Sequence, residues 1–512
     1  MNVLINGFSG AVGNRIIENT FRDVNLGYCL SILRKDEALP ALSNCEEQDQ
    51  FDPQSMKDVD WNTILPLDEI VIEGMRRCET TFLHMKGRRE WRGASLPYDE
   101  RKRIYLQNLR YWNHVLETQS INVFLSATLP HRSRTLLIYY LCKLKGIPTI
   151  FPYHSGPVDG DFHIVEDLES YAAFGAVHKQ VQEKYLHSDE PIPLADRYER
   201  YFQKQISPKD PSPAWSLDPD RRTWGRWFGM IFSMLTKDVR KFLRQIPSSI
   251  YNRLSLTYWI RGGIEMYRVR RARKMFRLYD RNAVSPDLTQ EYVYLPLHQQ
   301  PEASACPMCG AYMDQILTVK MLDALLPHGV HIYVKEHPNQ QNTFPDGRGR
   351  SFEFYQDLLR SDRVTLISRS SNTFDLIKHC KAVATGTGTA GFESLFRETP
   401  VLMFGHWTHQ HAGGVFPVHT TEDCKKGINA IFTENAKPSL RDARIYLKAL
   451  EEISITAYID ERWEEHSEHD EHASALLFSN ALRKKLHEKF PEISPNTPVA
   501  EHSQEMPVLS SS

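Results

Sequence analysis

Short apolar runs alternate with amphipathic helical patterns between residues 292 and 405, and polar residues follow each apolar run. Three of these runs have the length of strands, at 292–297, 330–335 and 382–385. In a parallel α/β sheet, ligands bind beyond the carboxyl ends of the strands. The pattern therefore predicts an α/β domain whose ligand site is formed by the loops after these strands.

The first 200 residues show a similar alternation. We expect strands at 2–6, 28–33, 122–126 and 149–153, with a helix at 134–145. A strand–helix–strand unit of this kind forms a right-handed parallel crossover. The N-terminal part is therefore predicted to be a second α/β domain.

Composition divides the chain into five parts. Residues 1–205 form the N-terminal α/β domain, and 206–285 hold a Pro/Ser/Asp-rich linker followed by a basic, aromatic helical segment. The C-terminal α/β domain covers 286–435, and helices are expected at 436–485. The tail 486–512 is rich in Pro, Ser and Glu and is predicted to be disordered.

Overall composition excludes several classes of protein. Apolar residues make up 41% of the 512 residues, and the net charge of −2 gives no argument for nucleic acid or for an acidic ligand. The eight cysteines are scattered, unlike a secreted disulfide framework. No stretch approaches the roughly 20 apolar residues that span a bilayer, and the N-terminus lacks the features of a signal peptide. We expect a cytoplasmic protein of a reducing compartment.

The segment 221–281 departs from this average. It carries sixteen lysines and arginines against three acidic residues, interleaved with aromatic residues. Such a segment suits peripheral attachment to the inner face of the cell membrane. The alternative is an inter-domain helical pair that covers its own apolar surface. The aromatic residues are Trp224, Trp227, Phe228, Phe232, Phe242, Tyr258, Trp259 and Phe276.

A glycine-rich loop follows the third of the C-terminal strands. The sequence Gly-Thr-Gly-Thr-Ala-Gly at 386–391 opens a helix, and its hydroxyls and main-chain N–H groups suit a phosphate. Thr387, Gly388 and Thr389 are therefore candidate ligand contacts. Glu393 is expected in the first helical turn, within reach of a ribose diol. A plain αβ turn with a capping acid explains the same residues.

Three further loops carry candidate polar residues, and two of these loops follow predicted strands. His337 precedes a proline that holds it out of the helical conformation, so its imidazole is aimed at a cleft where it could hold a leaving phosphate. Gln300 and Glu302 flank Pro301 after the preceding strand. Ser371 precedes a helix and is a candidate contact for the base or sugar of a nucleotide, although hydroxyls also serve as ordinary N-caps.

The loops with Gln300, His337 and 386–391, together with Glu393, resemble those of capsule polysaccharide biosynthesis proteins. That family includes retaining β-Kdo transferases and is distantly related to sialyltransferase-like enzymes that use CMP-sugars. The similarity covers about 290–410, and the N-terminal half matches more weakly. It implies a GT-B glycosyltransferase with two Rossmann-like domains facing across a cleft. The basic aromatic helical segment is an insertion between these domains and departs from the family pattern.

The resemblance implies a donor site in the C-terminal domain, with Gln300 and His337 near the base and phosphate and Glu393 near the ribose. A sugar would move from a nucleotide-sugar, with CMP as one candidate nucleotide, to a surface polysaccharide or glycolipid. Such a site needs no metal and no cofactor besides the donor. Asp-x-Asp occurs three times in the chain, so it identifies no metal site.

The acceptor side is expected in the N-terminal domain. Asp161 and His154 are the favoured catalytic bases, and His337 is the candidate for the leaving phosphate. Further candidate bases in the same region are Asp159, His163 and Glu166. Gly7, Gly10, His131 and Arg132 are expected to approach the acceptor.

Rival functions remain open at the sequence level. Gly7, Gly10 and Gly13 with a following Arg34 resemble an extended short-chain dehydrogenase that binds NAD(P), but no convincing Tyr-x-x-x-Lys pair accompanies them. A sugar epimerase on the same scaffold and a non-catalytic capsule-assembly protein are also compatible with the sequence. The lone Cys306-x-x-Cys309 pair and the histidines 466, 469 and 472 do not make a metal site.

Overall fold

The computed structural model describes most of the chain. The described residues are 1–33, 45–49, 56, 59–88, 96–154, 158, 160–185, 190–207, 256–302, 304–460, 464–465 and 467–496. They form two α/β domains, each built on one sheet. The predicted pair of Rossmann-like domains is thereby confirmed.

The N-terminal sheet has seven strands. They are β1 Asn2–Asn6, β2 Tyr28–Leu33, β3 Cys45–Asp49, β4 Val123–Ser126, β5 Thr149–His154, β6 Asp161–Val165 and β13 Ile455–Thr456. The spatial order is β13-β6-β5-β4-β1-β2-β3. The strands from β5 to β3 are parallel, and β6 is antiparallel to both of its neighbours.

Side chains alternate between the two faces of this sheet, as the period of two demands. Val3 and Ile5 of β1 enter one core, whereas Leu4 enters the core on the opposite face. The helices that cover the faces are α1 Gly10–Phe21, α2 Glu69–Gly74, α3 Arg76–Arg88, α4 Tyr98–Thr118, α5 Ser133–Lys145, α6 Ala172–Tyr185 and α7 Asp196–Ile206. Helix α5 ends where Gly146 adopts a left-handed conformation with φ of 69°.

The C-terminal sheet has six parallel strands. They are β7 Tyr292–Pro296, β8 His331–Lys335, β9 Val364–Ile367, β10 Ala382–Thr385, β11 Val401–Met403 and β12 Val415–Pro417. Their order, β12-β11-β10-β7-β8-β9, is that of a dinucleotide-binding fold. The chain reverses direction across this sheet between β7 and β10, so a crevice is expected where these two strands end.

The helices of the C-terminal part begin with the 27-residue α8 Leu256–Asn282. The others are α9 Gln315–Leu325, α10 Gln340–Thr343, α11 Phe352–Leu359, α12 Thr373–His379, α13 Thr389–Leu395, α14 Thr421–Phe432, α15 Leu440–Ile453 and α16 Glu471–Lys489. Short 3-10 helices lie at Gly310–Met313 and Thr408–His411. No helix of the described residues is both long and apolar enough to cross a bilayer.

Helix α8 changes the expected domain boundary. Its residues Ala272, Met275, Phe276 and Tyr279 are buried in the core under the C-terminal sheet. The last part of the basic aromatic segment therefore belongs to the C-terminal domain, and Phe276, 2% exposed, is not available to a membrane surface. The side chains of the other seven aromatic residues named for this segment lie outside the described part.

The chain returns to the N-terminal domain after β12. Helix α15 packs on α6, and Arg444 forms an ion pair with Glu199 of α7 at 2.7 Å. Helix α16 packs on α1 beneath the N-terminal sheet. The disordered tail was predicted to begin at residue 486, which is too early. Leu486 is fully buried and Ile493 is 3% exposed in the core that α1 and α16 share.

One disulfide links the adjacent strands β2 and β3, between Cys29 and Cys45. The other six cysteines are free thiols. The sequence contains no signal for this pair, since its two members become neighbours only through strand pairing.

Candidate functional site

The loops after β7 and β10 are tied together at the reversal point of the C-terminal sheet. The main-chain N–H of Thr387 donates to Nε2 of His298 at 3.2 Å, and the Thr387 hydroxyl donates to the Ser304 carbonyl at 2.7 Å. Burial lowers the pKa of His298 to about 4, which keeps the ring neutral and able to accept this bond. Thr387, a predicted ligand contact, thus has a structural role in joining the two loops.

Gly386 is required where these loops meet. A Cβ atom at this position would lie 2.2 Å from Sγ of Cys309 and 2.8 Å from Nε2 of His298. Both distances are far below van der Waals contact, so a side chain here would displace the loop after β7. The first glycine of the predicted loop therefore permits close packing of the two loops.

A buried ion pair joins the loops after β7 and β8. Arg350 donates to both carboxylate oxygens of Glu336, at 2.7 and 2.9 Å, and to the His298 carbonyl at 2.8 Å. Burial disfavours the Arg350 cation, but Glu336 outweighs it and raises the Arg350 pKa. Tyr355 donates a further hydrogen bond to Glu336 at 2.5 Å. These residues hold the two loops at a fixed separation.

His337 lies next to this ion pair and is half-buried. Its Nδ1 accepts the main-chain N–H of Asn339 at 3.2 Å, so the neutral ring carries its proton on Nε2. Burial lowers the pKa of His337, partly opposed by Glu336. At neutral pH, His337 is therefore a neutral N–H donor at the carboxyl end of β8, which suits a phosphate oxygen.

Gln300 contacts the protein at both ends of its amide. Its Nε2 donates to the Met313 carbonyl at 2.9 Å, and its Oε1 accepts from Arg350 at 3.3 Å. The main chain of Gln300 exchanges two further hydrogen bonds with the side chain of Gln340. This residue therefore braces the loop after β7, while Glu302 is exposed beside it.

The remaining predicted donor residues lie along the ends of β9 and β10. Lys335 donates to the Ser371 carbonyl at 2.6 Å and thereby fixes the loop after β9. Gly388 is the N-cap of α13, and Thr389 is exposed as its first residue. The expectation for Glu393 is wrong in one respect, because it is the fifth residue of α13 and lies beyond the first turn.

The N-terminal domain presents a matching reversal point between β1 and β4. Gly7, in the loop after β1, and Gly10, the first residue of α1, have φ of 77° and 72°, conformations that favour glycine. Asn6 donates to the Ser126 hydroxyl at 2.8 Å, and Ser126 donates to the Thr128 carbonyl at 2.7 Å. This chain of bonds fixes the loop after β4.

His131 lies in that loop and is half-buried, with Arg132 as the N-cap of α5 immediately after it. Nδ1 of His131 donates to the Leu129 carbonyl at 2.8 Å, which leaves the lone pair of the neutral ring on Nε2. His131 therefore has the tautomer of a proton acceptor. The bond to a main-chain carbonyl fixes its orientation.

Asp161 does not fit the predicted role of a base. Its carboxylate is fully buried and accepts bonds from Tyr198 at 2.5 Å and Thr456 at 2.8 Å, and Arg197 pairs with it at 3.1 Å. These contacts join β6, α7 and β13. Both oxygens are occupied within the protein, so the geometry assigns Asp161 a structural role.

Two other candidate bases are also held within the protein. His163 is 1% exposed, and burial lowers its pKa to about 4. Glu166 pairs with Lys485 at 3.3 Å and with Lys489 at 3.7 Å. Asp159 and Arg34 lie outside the described residues. His154, at the end of β5, is the favoured base that still faces a cavity.

That cavity, of about 550 Å³, opens between the two domains. The N-terminal domain contributes the ends of β4 and β5 with the loop after β4, and the C-terminal domain contributes the loops after β7 and β11. Two residues that the sequence predicts as site residues, His131 and His154, line this cavity. The other residues that line it are Ala127, Thr128, Leu129, Pro152, Tyr153, Phe162, Ser304, Met308, Trp407, Ile459 and Asp460. The expected cleft between facing domains is therefore present.

Several of these residues could not be found from the sequence. Asp460 reaches the cavity because β13 pairs with β6, and nothing near it in the chain predicts that pairing. Trp407 follows the short strand β11 and packs edge-on against Tyr153, with ring centroids 5.1 Å apart. Glu336 did carry a signal, since it directly precedes His337.

The two cysteines of the Cys-x-x-Cys pair are both buried. Burial raises the pKa of Cys309 to about 12, and its thiol packs between His298 and Thr387. Among the described residues, no group of three or more histidines, cysteines and acids is placed to hold a metal ion. His466 lies outside that part.

Comparison with solved structures finds similar chains of low identity. The β-Kdo 2,7 transferase KpsC of Thermosulfurimonas dismutans is 17% identical over 37% of this chain and 65% of its own, with a TM-score of 0.20. The lipopolysaccharide outer core galactosyltransferase WaaB is 10% identical over 95% of this chain and 100% of its own, with a TM-score of 0.25. The UDP-GlcNAc 2-epimerase of Methanocaldococcus jannaschii is 9% identical over 88% of this chain and 98% of its own, with a TM-score of 0.24. These scores add nothing to the fold assignment, which rests on strand order.

Sequence comparison gives a more specific result. No curated protein matches the chain. Residues 303–450, however, match the family model of capsule polysaccharide biosynthesis proteins, and this range contains His337, the glycine-rich loop and Glu393. Over these residues the chain is similar to capsule polysaccharide biosynthesis proteins, and its two Rossmann-like domains face each other across a cavity, as in the GT-B architecture.

Proposed function

We propose that this protein transfers a sugar from a nucleotide-sugar to a carbohydrate acceptor. One observation carries the proposal: the strand-end loops of both parallel sheets border one cavity, and the loops on the C-terminal side lie within the region of the capsule polysaccharide biosynthesis family. Ligands of open α/β sheets bind beyond the strand ends at the reversal point. A donor and an acceptor held on facing sheets are thereby brought together.

The donor nucleotide is assigned to the loops after β7, β8 and β10. His337 supplies a neutral Nε2–H to a phosphate oxygen, and Gly388 and Thr389 are accessible at the start of α13. The braces formed by Arg350, Gln300 and Thr387 fix these loops before the ligand arrives. Preorganised donors stabilise the charge that develops on a departing phosphate without reorganisation at the moment of transfer.

The acceptor approaches from the N-terminal domain. In the transfer step, the acceptor oxygen bonds to the anomeric carbon, the bond from that carbon to the phosphate oxygen breaks, and the nucleotide leaves with the electron pair. The acceptor hydroxyl loses its proton to a base on the N-terminal side. His154 remains the candidate for this base, while Asp161 is set aside. The proposed acceptor is a capsular polysaccharide or a glycolipid, and the proposed donor nucleotide is CMP or UDP. Peripheral membrane contact is proposed for the part of 221–281 that precedes the buried Ala272.

Nucleotide binding tests the donor assignment directly. Calorimetric titration with CMP, UDP and NADP⁺ should show binding of a pyrimidine nucleotide. His337→Ala should weaken it about tenfold, the worth of one hydrogen bond to an anionic oxygen. His331→Ala is the matched control, because His331 lies at the amino end of the same strand, away from the cavity, and should leave affinity unchanged.

Other outcomes separate the rival functions. Tight binding of NADP⁺ alone would support the dehydrogenase alternative at the Gly7 loop. Conversion of a nucleotide-sugar to its epimer without an acceptor would support the epimerase. Equal nucleotide affinities of His337→Ala and the unaltered protein would contradict the proposed donor site.

A further inference from the structure

We propose that one face of helix α8 binds a polysaccharide chain that carries carboxylate groups. The inference rests on the proposed transfer reaction and specifies its acceptor as an anionic glycan that extends over the C-terminal domain. The binding surface consists of Arg270, Lys274, Arg277 and Arg281, which together are named the cationic stripe.

The cationic stripe lies opposite the buried face of α8. Its members follow one another at intervals of four, three and four residues, which places them on one side of an α-helix. Ala272, Met275 and Tyr279 lie on the other side, in the core under the C-terminal sheet. All four cations are exposed, and they extend over about 17 Å of the helix axis at 1.5 Å per residue.

The positive charge of the cationic stripe is not compensated within the protein. Among the described residues, none of its four cations forms an ion pair. Asp280 is the only acid between residues 266 and 282, and Arg369 from the loop after β9 pairs with it at 2.6 Å. A row of exposed cations attracts a polymer that carries repeated negative charges, and added salt screens this attraction.

The last turns of α8 pack against the loop that carries the proposed phosphate donor. The main-chain N–H of Glu336 donates to the Tyr279 hydroxyl at 2.9 Å, and His337 follows Glu336 directly. A Cβ atom at Gly347, in the same loop after β8, would lie 2.8 Å from Cβ of Ala272. A chain bound on the cationic stripe therefore lies on a helix that borders the proposed donor site.

A bilayer surface fits the cationic stripe less well than a glycan does. An interfacial helix inserts its apolar face between the lipid headgroups. Helix α8 buries that face in its own domain, and from Arg268 to Arg281 none of its apolar side chains is exposed. The exposed apolar side chains in the described part of α8 are Ile264, Met266 and Tyr267, which precede the stripe.

The same exposure pattern argues against nucleic acid. Single strands bind where aromatic side chains stack on the bases beside a cationic groove. Helix α8 has no exposed aromatic side chain after Tyr267 in the part that the structure describes. A carboxylate of a glycan needs only a cation with hydrogen-bond donors, which arginine and lysine both supply.

Binding of labelled polygalacturonate to the full chain tests the inference, with labelled dextran as the uncharged probe. Fluorescence anisotropy measures both affinities. We expect polygalacturonate to bind at low ionic strength and to dissociate as salt is added, whereas dextran should not bind. The triple variant Arg270→Gln/Lys274→Gln/Arg277→Gln should weaken polygalacturonate binding about tenfold.

The matched control is Lys179→Gln/Lys184→Gln/Lys484→Gln, which removes three exposed cations from helices of the N-terminal domain. It lowers the net charge by the same amount and should leave the affinity unchanged. All six positions are exposed, so both variants should keep the melting temperature of the unaltered protein. An equal loss of affinity in the two variants would show that overall charge alone attracts the probe and would overturn the inference.

Two further probes separate the rival partners. Phosphatidylglycerol vesicles or oligothymidylate that bind through the cationic stripe, while polygalacturonate does not bind, would also overturn the inference. Stabilisation by CMP or UDP is measured in parallel and should be the same in the stripe variant. If a nucleotide raises the melting temperature and polygalacturonate does not bind, the inference alone fails. If polygalacturonate binds through the stripe and no nucleotide stabilises the protein, the donor assignment fails instead.

Discussion

The Arg350 guanidinium lies between the Glu336 carboxylate and the His298 carbonyl, and the side chains of both Arg350 and Glu336 are fully buried. Two strand-end loops of the C-terminal sheet are therefore connected by one charged side chain. His337 follows Glu336 directly, so the orientation of the proposed phosphate donor depends on this pair. Arg350 is a positioning residue for the site.

Removing Arg350 should be strongly destabilising. Arg350→Met leaves Glu336 buried without its partner, which typically costs about 3–5 kcal/mol. The double variant Glu336→Leu/Arg350→Met should lose less, because no uncompensated charge remains. Urea unfolding measures both free energies. Arg360→Met, which removes an exposed ion pair with Asp357, is the control and should change stability by less than about 1 kcal/mol. A double variant less stable than Arg350→Met would refute this account of the pair.

Asp161→Asn should affect stability and spare nucleotide binding. The carboxylate joins Tyr198, Arg197 and Thr456 in the interior, so its neutralisation should cost about 3 kcal/mol in the unfolding free energy. His154→Ala should show the opposite behaviour, with lost sugar transfer and little change in stability. Urea unfolding and an assay of transfer compare the two variants. Normal stability with abolished transfer in Asp161→Asn would restore it as the catalytic base.

Strand-length apolar runs predicted four of the seven described strands of the N-terminal sheet and three of the six described strands of the C-terminal sheet. The runs at 292–297, 330–335 and 382–385 became β7, β8 and β10, because parallel strands buried on both faces have few polar interruptions. The polar residues after them were correctly placed at the strand ends. Two of those residues, Thr387 and Gln300, form hydrogen bonds between loops, and no local pattern distinguishes such a brace from a ligand contact.

Long-range pairing limited the rest of the prediction. The two-residue strand β13 pairs with β6 across almost 300 residues and brings Thr456 to Asp161. The same return of the chain places Asp460 in the cavity. The sequence predicts Asp161 as a catalytic base, and its neighbours Gly160 and Asp159 are turn formers that give no sign of burial. Its burial depends on Tyr198 and Arg197, which lie in a distant helix.

Gly386→Ala should disrupt the reversal point of the C-terminal sheet. The added methyl would overlap Cys309 and His298 and push the loop after β7 away from Thr387. We expect a loss of about 1–3 kcal/mol in stability, typical of overpacking, together with weaker nucleotide binding. Gly263→Ala in α8 is the control, since a Cβ there meets no described atom within 4 Å and favours the helix. Thermal unfolding and calorimetry report the two effects, and an undisturbed nucleotide affinity in Gly386→Ala would contradict the donor assignment.

His178 should make the fold sensitive to acid. It is 4% exposed between Phe174 and Tyr446, and its Nε2 has no hydrogen-bond partner among the described residues. Burial lowers its pKa to about 4, and the nearby His411 acts in the same direction while Asp442 opposes both. The unfolded chain therefore binds a proton below about pH 6.5 that the folded chain takes up only near pH 4. The stabilisation by neutral His178 is complete above about pH 6.5 and is lost as the pH falls from 6.5 to 4.

His178→Leu removes that titration. As the pH falls from 6.5 to 4, the unfolding free energy of the unaltered protein should decrease more than that of the variant. For a pKa shift of this size, the difference between the two decreases is about 3 kcal/mol. Urea unfolding at several pH values measures the slope for each protein. Parallel profiles of His178→Leu and the unaltered protein would show that His178 is protonated in the folded state, so that the packing around it admits the charge.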